Sequence, residues 1–329
     1  MRDYSLTGKK ILVTGGAGFI GSNLTGTLLA LGNKVTVLDN FSTGKRENLA
    51  DFISDPAFDL IEGDIRDPEI CRQAVEKVDF ILHEAALGSV PRSIKDPATT
   101  TAVNVSGFVN MLMAAKDAGV KRVVYASSSS VYGDCTDSPK VENRTGTPLS
   151  PYALTKSIDE QFAANFIKVY NMECIGLRYF NVFGKRQDPD GAYAAVIPKF
   201  SAALIKHQSP VINGDGSYSR DFTYIEDVIQ ANILALQTEN CQAVNTVYNV
   251  AGGKETSLNE LFASLQKELG KFDPEITKTQ AVYGPVRQGD IPHSLADISK
   301  AGKLLGYKPE FTISQGLELT AKWYFEHLS

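Results

Sequence analysis

Tyr152 and Lys156 form the single Y-x-x-x-K pattern of this 329-residue chain. They open a segment, Pro151–Tyr170, that the sequence predicts to be helical, and a four-residue spacing puts both side chains on one helix face. A tyrosine hydroxyl, with a pKa of about 10, is a poor base at neutral pH, but a nearby ammonium group favours the phenolate. The spacing therefore indicates a proton-transferring tyrosine, although a chance match among 13 tyrosines is an alternative.

A run of serines, Ser127–Ser130, follows the predicted strand Arg122–Ala126 and precedes Val131-Tyr132-Gly133. In an open α/β sheet, a hydroxyl at the carboxyl end of a strand points into the crevice where ligands bind. The run therefore offers a second catalytic group. A serine run is also common in surface loops, and spacing alone leaves that alternative open for each serine.

A glycine-rich segment, Thr14–Gly21, follows the predicted strand Lys10–Thr14 and opens a predicted helix. Side chains at Gly15, Gly18 and Gly21 would keep a pyrophosphate away from the backbone. The helix N-terminus supplies free N–H donors and a partial positive charge. The segment predicts a dinucleotide site, and a glycine-rich turn without a ligand is the alternative that the motif alone leaves open.

Asp39 ends the next predicted strand, where a carboxylate can accept both hydroxyls of an adenosine ribose. A 2′-phosphate would meet like charge there, so we expect NAD rather than NADP, although Lys45 and Arg46 argue the other way. The neighbouring strand ends and the glycine-rich turn supply the other expected cofactor contacts: Phe19, Ile20, Asn40, Asp64, Ile65 and Ala85.

Short β-branched runs alternate with helical segments in the first half of the chain, which is typical of a parallel sheet covered on both faces. We predict an α/β fold: a doubly wound parallel sheet (Rossmann) over residues 1–184, then a smaller C-terminal substrate-binding lobe over residues 185–329, with chain exchange between them. The predicted strands are Lys10–Thr14, Lys34–Asp39, Asp59–Glu62, Phe80–His83, Arg122–Ala126 and Cys174–Arg178. The predicted helices are Ile20–Leu31, Pro68–Glu76, Pro97–Ala118, Pro151–Tyr170, Ser257–Gly270 and Ile313–Leu328.

Composition excludes several classes of protein. A formal net charge of -5 argues against nucleic acid or an anionic membrane as the main partner. The four cysteines contain no C-x-x-C pair and the four histidines show no ligand spacing, so we expect reduced thiols and no metal site. The N-terminal apolar run is short and ends at glycine, and no other run approaches a bilayer's thickness. A soluble, cytoplasmic protein is expected.

Nine segments resemble the extended short-chain dehydrogenase/reductase family and, within it, the nucleotide-sugar epimerases. They are TGGAGFIG, LDN, GDIRD, HEAA, SSSSVYG, PYALTK, RYFNVFG, RDFTYIEDV and RQGDIP, and they occur in that family's order. The resemblance implies tightly bound NAD and a catalytic set. In that set Ser128 is the catalytic hydroxyl with Ser129 beside it, and Tyr152 is the base. Lys156 is its partner and also holds the nicotinamide ribose.

The resemblance also implies a UDP-binding set in the C-terminal half. Arg220 and Arg287 match residues that bind the diphosphate, and a guanidinium group can do so in a bidentate manner. Asp290 matches a residue that accepts a ribose hydroxyl. The remaining positions match residues that contact the sugar–phosphate region or uridine: Asn181, Val196 and Asn213. From spacing alone, the charged members would be interpreted as solvated surface residues.

Small residues occupy the positions that the resemblance assigns to the sugar pocket. Family members restricted to glucose and galactose forms carry a bulky residue at the position of Ser294, so a small residue leaves room for a 2-acetamido group. The set Gly88, Ser128, Asn181, Ala195 and Ser294 matches bacterial epimerases that prefer N-acetylated sugars. The alternative is that Ser294 only caps the following helix.

The resemblance therefore implies NAD-dependent C4 epimerisation of UDP-N-acetylhexosamines through a 4-keto intermediate, by a homodimer that pairs helices such as Pro151–Tyr170. Alternative activities are 4-epimerisation of UDP-glucose and UDP-galactose or of UDP-uronic acids, and decarboxylation or dehydration on the same scaffold. Ser129 and Ser130 argue against a dehydratase, because the related dehydratases carry acidic residues at these positions. A nucleotide-binding sensor without activity is the alternative from another class.

Overall fold

A computed structural model of the protein describes residues 4–188, 195–286 and 292–328. Its strands are β1 (Lys10–Thr14), β2 (Lys34–Asp39), β3 (Phe58–Glu62), β4 (Phe80–His83), β5 (Arg122–Ser128), β6 (Cys174–Tyr179), β7 (Val182–Phe183), β8 (Val211–Asn213), β9 (Ser219–Asp221), β10 (Thr223–Tyr224), β11 (Thr246–Val250), β12 (Glu255–Ser257) and β13 (Val282–Gly284). Seven of them form one parallel sheet in the order β11-β6-β5-β4-β1-β2-β3. The remaining six pair two by two.

Helices cover both faces of the sheet. They are α1 (Phe19–Ala30), α2 (Pro68–Ala74), α3 (Val90–Lys95), α4 (Pro97–Thr101), α5 (Gly107–Ala118), α6 (Pro151–Tyr170), α7 (Val196–Ile205), α8 (Ile225–Gln237), α9 (Leu258–Leu269), α10 (Ser299–Leu305) and α11 (Ile313–His327). The order of the strands, which reverses between β1 and β4, identifies a doubly wound Rossmann-like fold. Within the described ranges, no helix combines the length and the apolar composition that crossing a bilayer requires.

Alternate residues of the central strands enter different cores, which explains why the middle of each strand is mostly apolar. Ile11 and Val13 of β1 pack in one core with α1 and α8, while Leu12 packs in the other with Phe108 and Met111 of α5. All five of these side chains are buried. Burial on both faces is the property that distinguishes parallel strands from the half-exposed strands of antiparallel sheets.

The six predicted strands are present, and their ends agree with the prediction to within two residues. The predicted helix Pro97–Ala118 is wrong in its middle, because a π-helical turn over Ala102–Ser106 separates α4 from α5. Asn104 in this turn accepts a hydrogen bond from Leu87 N (2.8 Å) and donates to Thr155 Oγ1 (3.0 Å). Such turns concentrate at functional sites, and this one fixes the segment after β4 against α6.

The C-terminal half returns to the main sheet through α8 and β11, and β11 is a seventh strand that the prediction lacks. Asp221 organises the rest of this half. Its buried carboxylate accepts hydrogen bonds from Gly252 N, Gly253 N and Ala296 N. Burial raises the pKa of Asp221 to about 7, although these hydrogen bonds lower it. The division of the chain between residues 184 and 185 stays a prediction.

Candidate active site

A cavity of about 510 Å³ opens at the carboxyl ends of the central strands. This is the edge where parallel α/β sheets bind their ligands. The structure brings the predicted cofactor residues together around the cavity: Gly15, Gly18, Phe19, Ile20, Asp39, Asn40, Asp64, Ile65, Ala85, Tyr152 and Lys156. Four residues predicted to bind substrate also line it: Gly88, Ser128, Ser129 and Asn181.

The turn between β1 and α1 and the first turn of α1 leave no room for a side chain at Gly15 or at Gly21. Gly15 has a positive φ of 67°, and a Cβ there would lie 2.8 Å from the Ala85 backbone. A Cβ at Gly21 would lie 2.3 Å from the carbonyl oxygen of Gly15. No side chain caps the N-terminus of α1, where Gly18 is the N-cap residue. Free N–H groups beside a bare backbone form a cradle that fits the pyrophosphate of a dinucleotide.

Asp39 stands at the end of β2 beside this cradle. One carboxylate oxygen accepts a hydrogen bond from Ala17 N (2.9 Å) and the other from Phe41 N (2.8 Å), so the backbone fixes the carboxylate in place. Burial raises the pKa of Asp39, and the two backbone hydrogen bonds oppose the rise. The remaining acceptor positions can take both hydroxyls of an adenosine ribose, as in other dinucleotide sites.

The two basic residues that argued for NADP are engaged by acids. Lys45 Nζ lies 3.0 Å from Asp188 Oδ1, and Arg46 Nη2 lies 2.6 Å from Glu62 Oε2. Both pairs are exposed, and in each of them the basic group contacts a carboxylate of the protein where NADP would need it to contact a 2′-phosphate. The residues around the ribose position therefore fit NAD.

Asp64 and Ile65, two of the expected cofactor contacts, line the cavity just after β3. The Arg66 side chain contacts both carboxylate oxygens of Asp64 and, through its hydrogen bonds and charge, holds the pKa of Asp64 at about 2. Asn40 Nδ2 donates to the same carboxylate at 2.7 Å. Ile65 is buried and offers an apolar surface to a ring.

Tyr152 lies in the first turn of α6, and local sequence fixes that position. Ser150 caps the helix by accepting a hydrogen bond from Ala153 N, and Pro151 occupies the first turn, where proline is favoured. Tyr152 N also donates to Ser93 Oγ of α3 at 3.0 Å. These contacts fix the start of the helix against α3, and the Tyr152 side chain lines the cavity with Ser128.

Strand β5 positions both Lys156, by a hydrogen bond, and Ser128, which is its last residue. Lys156 Nζ donates to the carbonyl oxygen of Ala126 in β5 (2.8 Å) and lies 3.3 Å from Asp159 Oδ2. Ser128 ends β5 and accepts a hydrogen bond from Ser130 N (3.1 Å), which fixes its hydroxyl oxygen at the cavity edge. Strand β5 thus positions both groups relative to Tyr152.

The sequence did not point to Glu84 and Tyr179, which also line the cavity. Tyr179 Oη donates to Glu84 Oε1 at 2.8 Å. Burial raises the pKa of the Glu84 carboxyl to about 7, while the Tyr179 hydrogen bond and the charge of Lys156 lower it. His83 precedes it, and burial together with Lys156 lowers the pKa of His83 to about 3, so its ring is neutral. The available signals were the HEAA segment, which carries His83 and Glu84, and the RYFNVFG segment, which carries Tyr179.

Five residues predicted to bind substrate are described by the structure but do not line the cavity: Ala195, Val196, Asn213, Arg220 and Ser294. Arg220 Nη1 donates to the carbonyl oxygens of Ser219 (2.8 Å) and Pro292 (3.4 Å). Ser294 does not cap a helix, because the next helix, α10, begins only at Ser299. Its carbonyl oxygen instead accepts a hydrogen bond from Asp221 N. Arg287 and Asp290 lie outside the described residues.

The cavity belongs to a chain with clear relatives. Residues 11–251 match the NAD dependent epimerase/dehydratase family. The chain is 37% identical over 318 residues to a UDP-glucose 4-epimerase of Mycolicibacterium smegmatis. This alignment covers 96% of the chain and 98% of the relative. Across residues 4–188, 195–286 and 292–328, no group of three His, Cys, Asp or Glu side chains could hold a metal ion.

Two solved structures have similar folds and bind different sugars. A UDP-N-acetylglucosamine 4-epimerase from Methanobrevibacter ruminantium M1, in complex with UDP-N-acetylmuramic acid, superposes with a TM-score of 0.90 at 38% identity, over 98% of this chain and 99% of that one. A UDP-glucuronic acid 4-epimerase from Bacillus cereus, in complex with UDP-glucuronic acid and NAD, superposes with a TM-score of 0.86 at 31% identity. The match covers 97% of this chain and 100% of that one.

Proposed function

The chain belongs to the NAD-dependent epimerase/dehydratase family, and we propose that it interconverts UDP-N-acetylglucosamine and UDP-N-acetylgalactosamine by inverting C4 of the sugar. It is an enzyme with NAD as its cofactor, and the comparisons support a UDP-sugar 4-epimerase. One observation carries the proposal beyond the family: Tyr152, Lys156 and Ser128 line the same cavity as the glycine cradle and Asp39.

In the proposed reaction Tyr152 takes the proton from the sugar 4-hydroxyl and later returns it. Ser128 holds the oxygen of that hydroxyl by a hydrogen bond. Lys156, whose ammonium group is buried, stabilises the tyrosine anion. NAD, which the glycine cradle and Asp39 would hold, would supply reversible hydride chemistry at C4 by way of a 4-keto sugar. No external oxidant is consumed, because the cofactor ends each cycle as it began.

The UDP moiety holds the sugar while it turns over. We propose that Asn181, which lines the cavity, contacts the phosphate–sugar region, and that Arg220 and Arg287 bind the diphosphate. Asp290, Val196 and Asn213 are proposed to contact uridine and its ribose. Arg220 already donates to two backbone carbonyl oxygens, so binding of UDP there requires its guanidinium to serve both roles or to rotate.

The preference for an N-acetylated sugar rests on open space at one wall of the cavity. A Cβ placed on Gly88 would meet no atom within 4 Å. Such space can hold a 2-acetamido group, and filling it would exclude that group by size. Ala195 and Ser294 are the other small residues that we propose for this pocket. The similarity to the M. ruminantium UDP-N-acetylglucosamine 4-epimerase supports the same substrate class.

Two other substrates have specific support. The similarity to the M. smegmatis enzyme favours UDP-glucose and UDP-galactose, and the similarity to the B. cereus enzyme favours UDP-glucuronic acid. Neither Ser129, which lines the cavity, nor Ser130 beside it is an acid, which disfavours dehydration, because elimination of water from the sugar needs an acid and a base on that side.

A direct comparison of substrates tests the proposal. The purified protein, without added cofactor, is incubated separately with UDP-Glc, UDP-GlcNAc, UDP-GlcA and the uronic acid form of UDP-GlcNAc, and the products are identified. We expect the 4-epimer of UDP-GlcNAc as the main product, with a kcat/KM at least about tenfold above that for UDP-Glc. A 4-keto product that accumulates, release of CO₂, or a preference for a plain or uronic sugar would contradict the proposal.

We also propose a homodimer in the cytoplasm. Four large apolar residues of α5 and α6 are exposed on the protomer: Met113, Leu154, Val169 and Tyr170. Burying them against a second copy would remove this area from water. The described cysteines are free thiols, which suits a reducing compartment. Light scattering on the purified protein measures the oligomeric state, and a monomer at micromolar concentration would contradict the dimer.

A further inference from the structure

Lys156 is paired with a second residue of its own helix. Asp159 follows it by one helical turn, and Asp159 Oδ2 lies 3.3 Å from Lys156 Nζ. The two side chains are 2% and 3% exposed, so the pair is fully inside the protein. Asp159 Oδ1 makes no hydrogen bond to any described residue. Burying an ion pair costs more than a well-packed apolar pair unless all its polar atoms are satisfied, so Asp159 is a poor choice for stability alone.

The position of this pair gives Asp159 a route to the reacting tyrosine. Lys156 contacts both the Ala126 carbonyl oxygen and Asp159, and two of the three ammonium protons are thereby assigned. The third proton is left to donate into the cavity. Tyr152, one turn earlier on the same helix, lines that cavity too. Because the ammonium group is held from two sides, its position relative to Tyr152 depends on both contacts.

Other ionisable groups surround the pair from every packed element. Tyr152 and Glu160 of α6, His83 and Glu84 at the end of β4, and Tyr125 of β5 interact electrostatically with the pair. Cys174 and Arg178 of β6 face Tyr125 behind it. Arg178 and Glu160 bind each other. On α5, Lys116 and Asp117 pair at the surface, and on α3 the side chain of Lys95 is exposed.

We propose that Asp159 is a positioning residue that holds Lys156 in place and moderates the positive charge that Lys156 presents to Tyr152. The inference rests on the proposed function, because it assigns Asp159 a part in the proton transfer by Tyr152. Its physical basis is that a charge within one helical turn acts strongly in a buried site. Burial raises the pKa of Asp159, and the adjacent ammonium group of Lys156 opposes the rise.

Two substitutions separate charge from position. Asp159→Asn keeps an oxygen that can accept from Lys156 but removes the negative charge. Asp159→Leu removes both. Without the nearby anion, the Tyr152 phenolate forms at lower pH, so the acid limb of the kcat/KM–pH profile of Asp159→Asn should lie about half a pH unit or more below that of the wild type. The plateau value of kcat/KM for Asp159→Asn should stay within about threefold of the wild-type value. The plateau value for Asp159→Leu should fall about tenfold. Asp117→Asn, an exposed acid on α5, is the matched control.

A second measurement does not depend on sugar turnover. Lys156 is expected to hold the nicotinamide ribose, so the rate at which NAD leaves the purified holoenzyme reports its position. We expect Asp159→Leu to lose NAD about fivefold faster, as for one lost hydrogen bond, and Asp159→Asn to stay within about twofold of the wild type. Thermal unfolding of the three holoenzymes checks that each is folded.

The outcomes distinguish this inference from the proposed function. If the wild type converts no UDP-sugar, the proposed function fails, and the NAD release rates alone judge the role of Asp159. If the variants are folded but both pH profiles and NAD release rates coincide with those of the wild type, Asp159 has no positioning role. A uniform loss of activity in both variants without a shifted acid limb would also overturn the inference.

Discussion

The ammonium nitrogen of Lys156 lies 2.8 Å from the carbonyl oxygen of Ala126, two residues before the end of β5. This hydrogen bond connects the helix that carries Tyr152 to the strand that ends in Ser128. A shift of α6 along the sheet, which would move Tyr152, would therefore also break a buried, charge-assisted contact. The three proposed catalytic groups therefore stand on two neighbouring elements that this hydrogen bond joins.

Tyr152→Phe should abolish most of the epimerase activity. The substitution removes one oxygen and leaves the ring, so folding should be preserved while the general base is lost. We expect kcat to fall by about 10²–10⁴-fold, the usual contribution of a positioned acid–base group. Conversion of UDP-GlcNAc, followed by chromatography of the products, measures it. Tyr170→Phe, an exposed tyrosine at the other end of α6, is the matched control. Near wild-type turnover by Tyr152→Phe would show that another group is the base.

Asp39→Asn should weaken the retention of NAD. An amide can offer only one acceptor oxygen, whereas both carboxylate oxygens now accept backbone N–H groups and would also take the ribose hydroxyls. We expect the purified variant to lose NAD about tenfold faster, because hydrogen bonds to a charged group are the stronger ones. The NAD content before and after gel filtration measures this loss, with the exposed Asp59→Asn on β3 as the control. Equal retention by both variants would exclude Asp39 from the ribose site.

The cofactor half of the site could be predicted from sequence because its signals are local. The glycines of the turn after β1 and the acid at the end of β2 need only a strand–turn–helix context to gain meaning. The pair Glu84–Tyr179 could not be predicted in the same way. Glu84 and Tyr179 are 95 residues apart and meet only when β4 and β6 are placed in one sheet.

The fold was predictable where helices and strands alternate regularly, and the prediction failed where that pattern stops. Strand β11 has the short sequence TVYNV, which shows no regular alternation of polar and apolar residues and lies between loops. It pairs with β6 in the sheet, and Thr246 lies opposite Ile175, which is 71 residues earlier in the chain. The π-helical turn at Ala102–Ser106 was missed because its residues fit a continuous helix, and only the contacts of Asn104 reveal its role.

Gly88→Val should change the choice of sugar more than the rate of reaction. The new side chain would occupy the open space beside the cavity, where a Cβ now meets nothing within 4 Å. If the acetamido group lies there, kcat/KM for UDP-GlcNAc should fall about tenfold or more, while kcat/KM for UDP-Glc changes less than about threefold. Both substrates are measured on one preparation, so UDP-Glc is the internal control. Equal losses on both sugars would mean that Gly88 does not form the acetamido pocket.

Glu84→Gln should alter how stability depends on pH. Burial raises the pKa of the Glu84 carboxyl from an ordinary 4.5 to about 7 in the folded protein. A carboxyl whose pKa is higher in the folded state than in the unfolded state opposes folding once it ionises. Its contribution to stability is therefore complete below about pH 4.5 and is lost as the pH rises through about 7.

The glutamine variant lacks this titration but can still accept the hydrogen bond of Tyr179. Its free energy of unfolding, relative to the wild type, should therefore increase between pH 5 and pH 8 by up to about 3 kcal/mol. Urea unfolding at several pH values, with the same NAD content in each sample, measures the difference. Glu47→Gln, an exposed acid, should show no such trend. A constant difference across this range would mean that Glu84 is already ionised at pH 5, and that the charge of Lys156 outweighs the cost of burying the carboxylate.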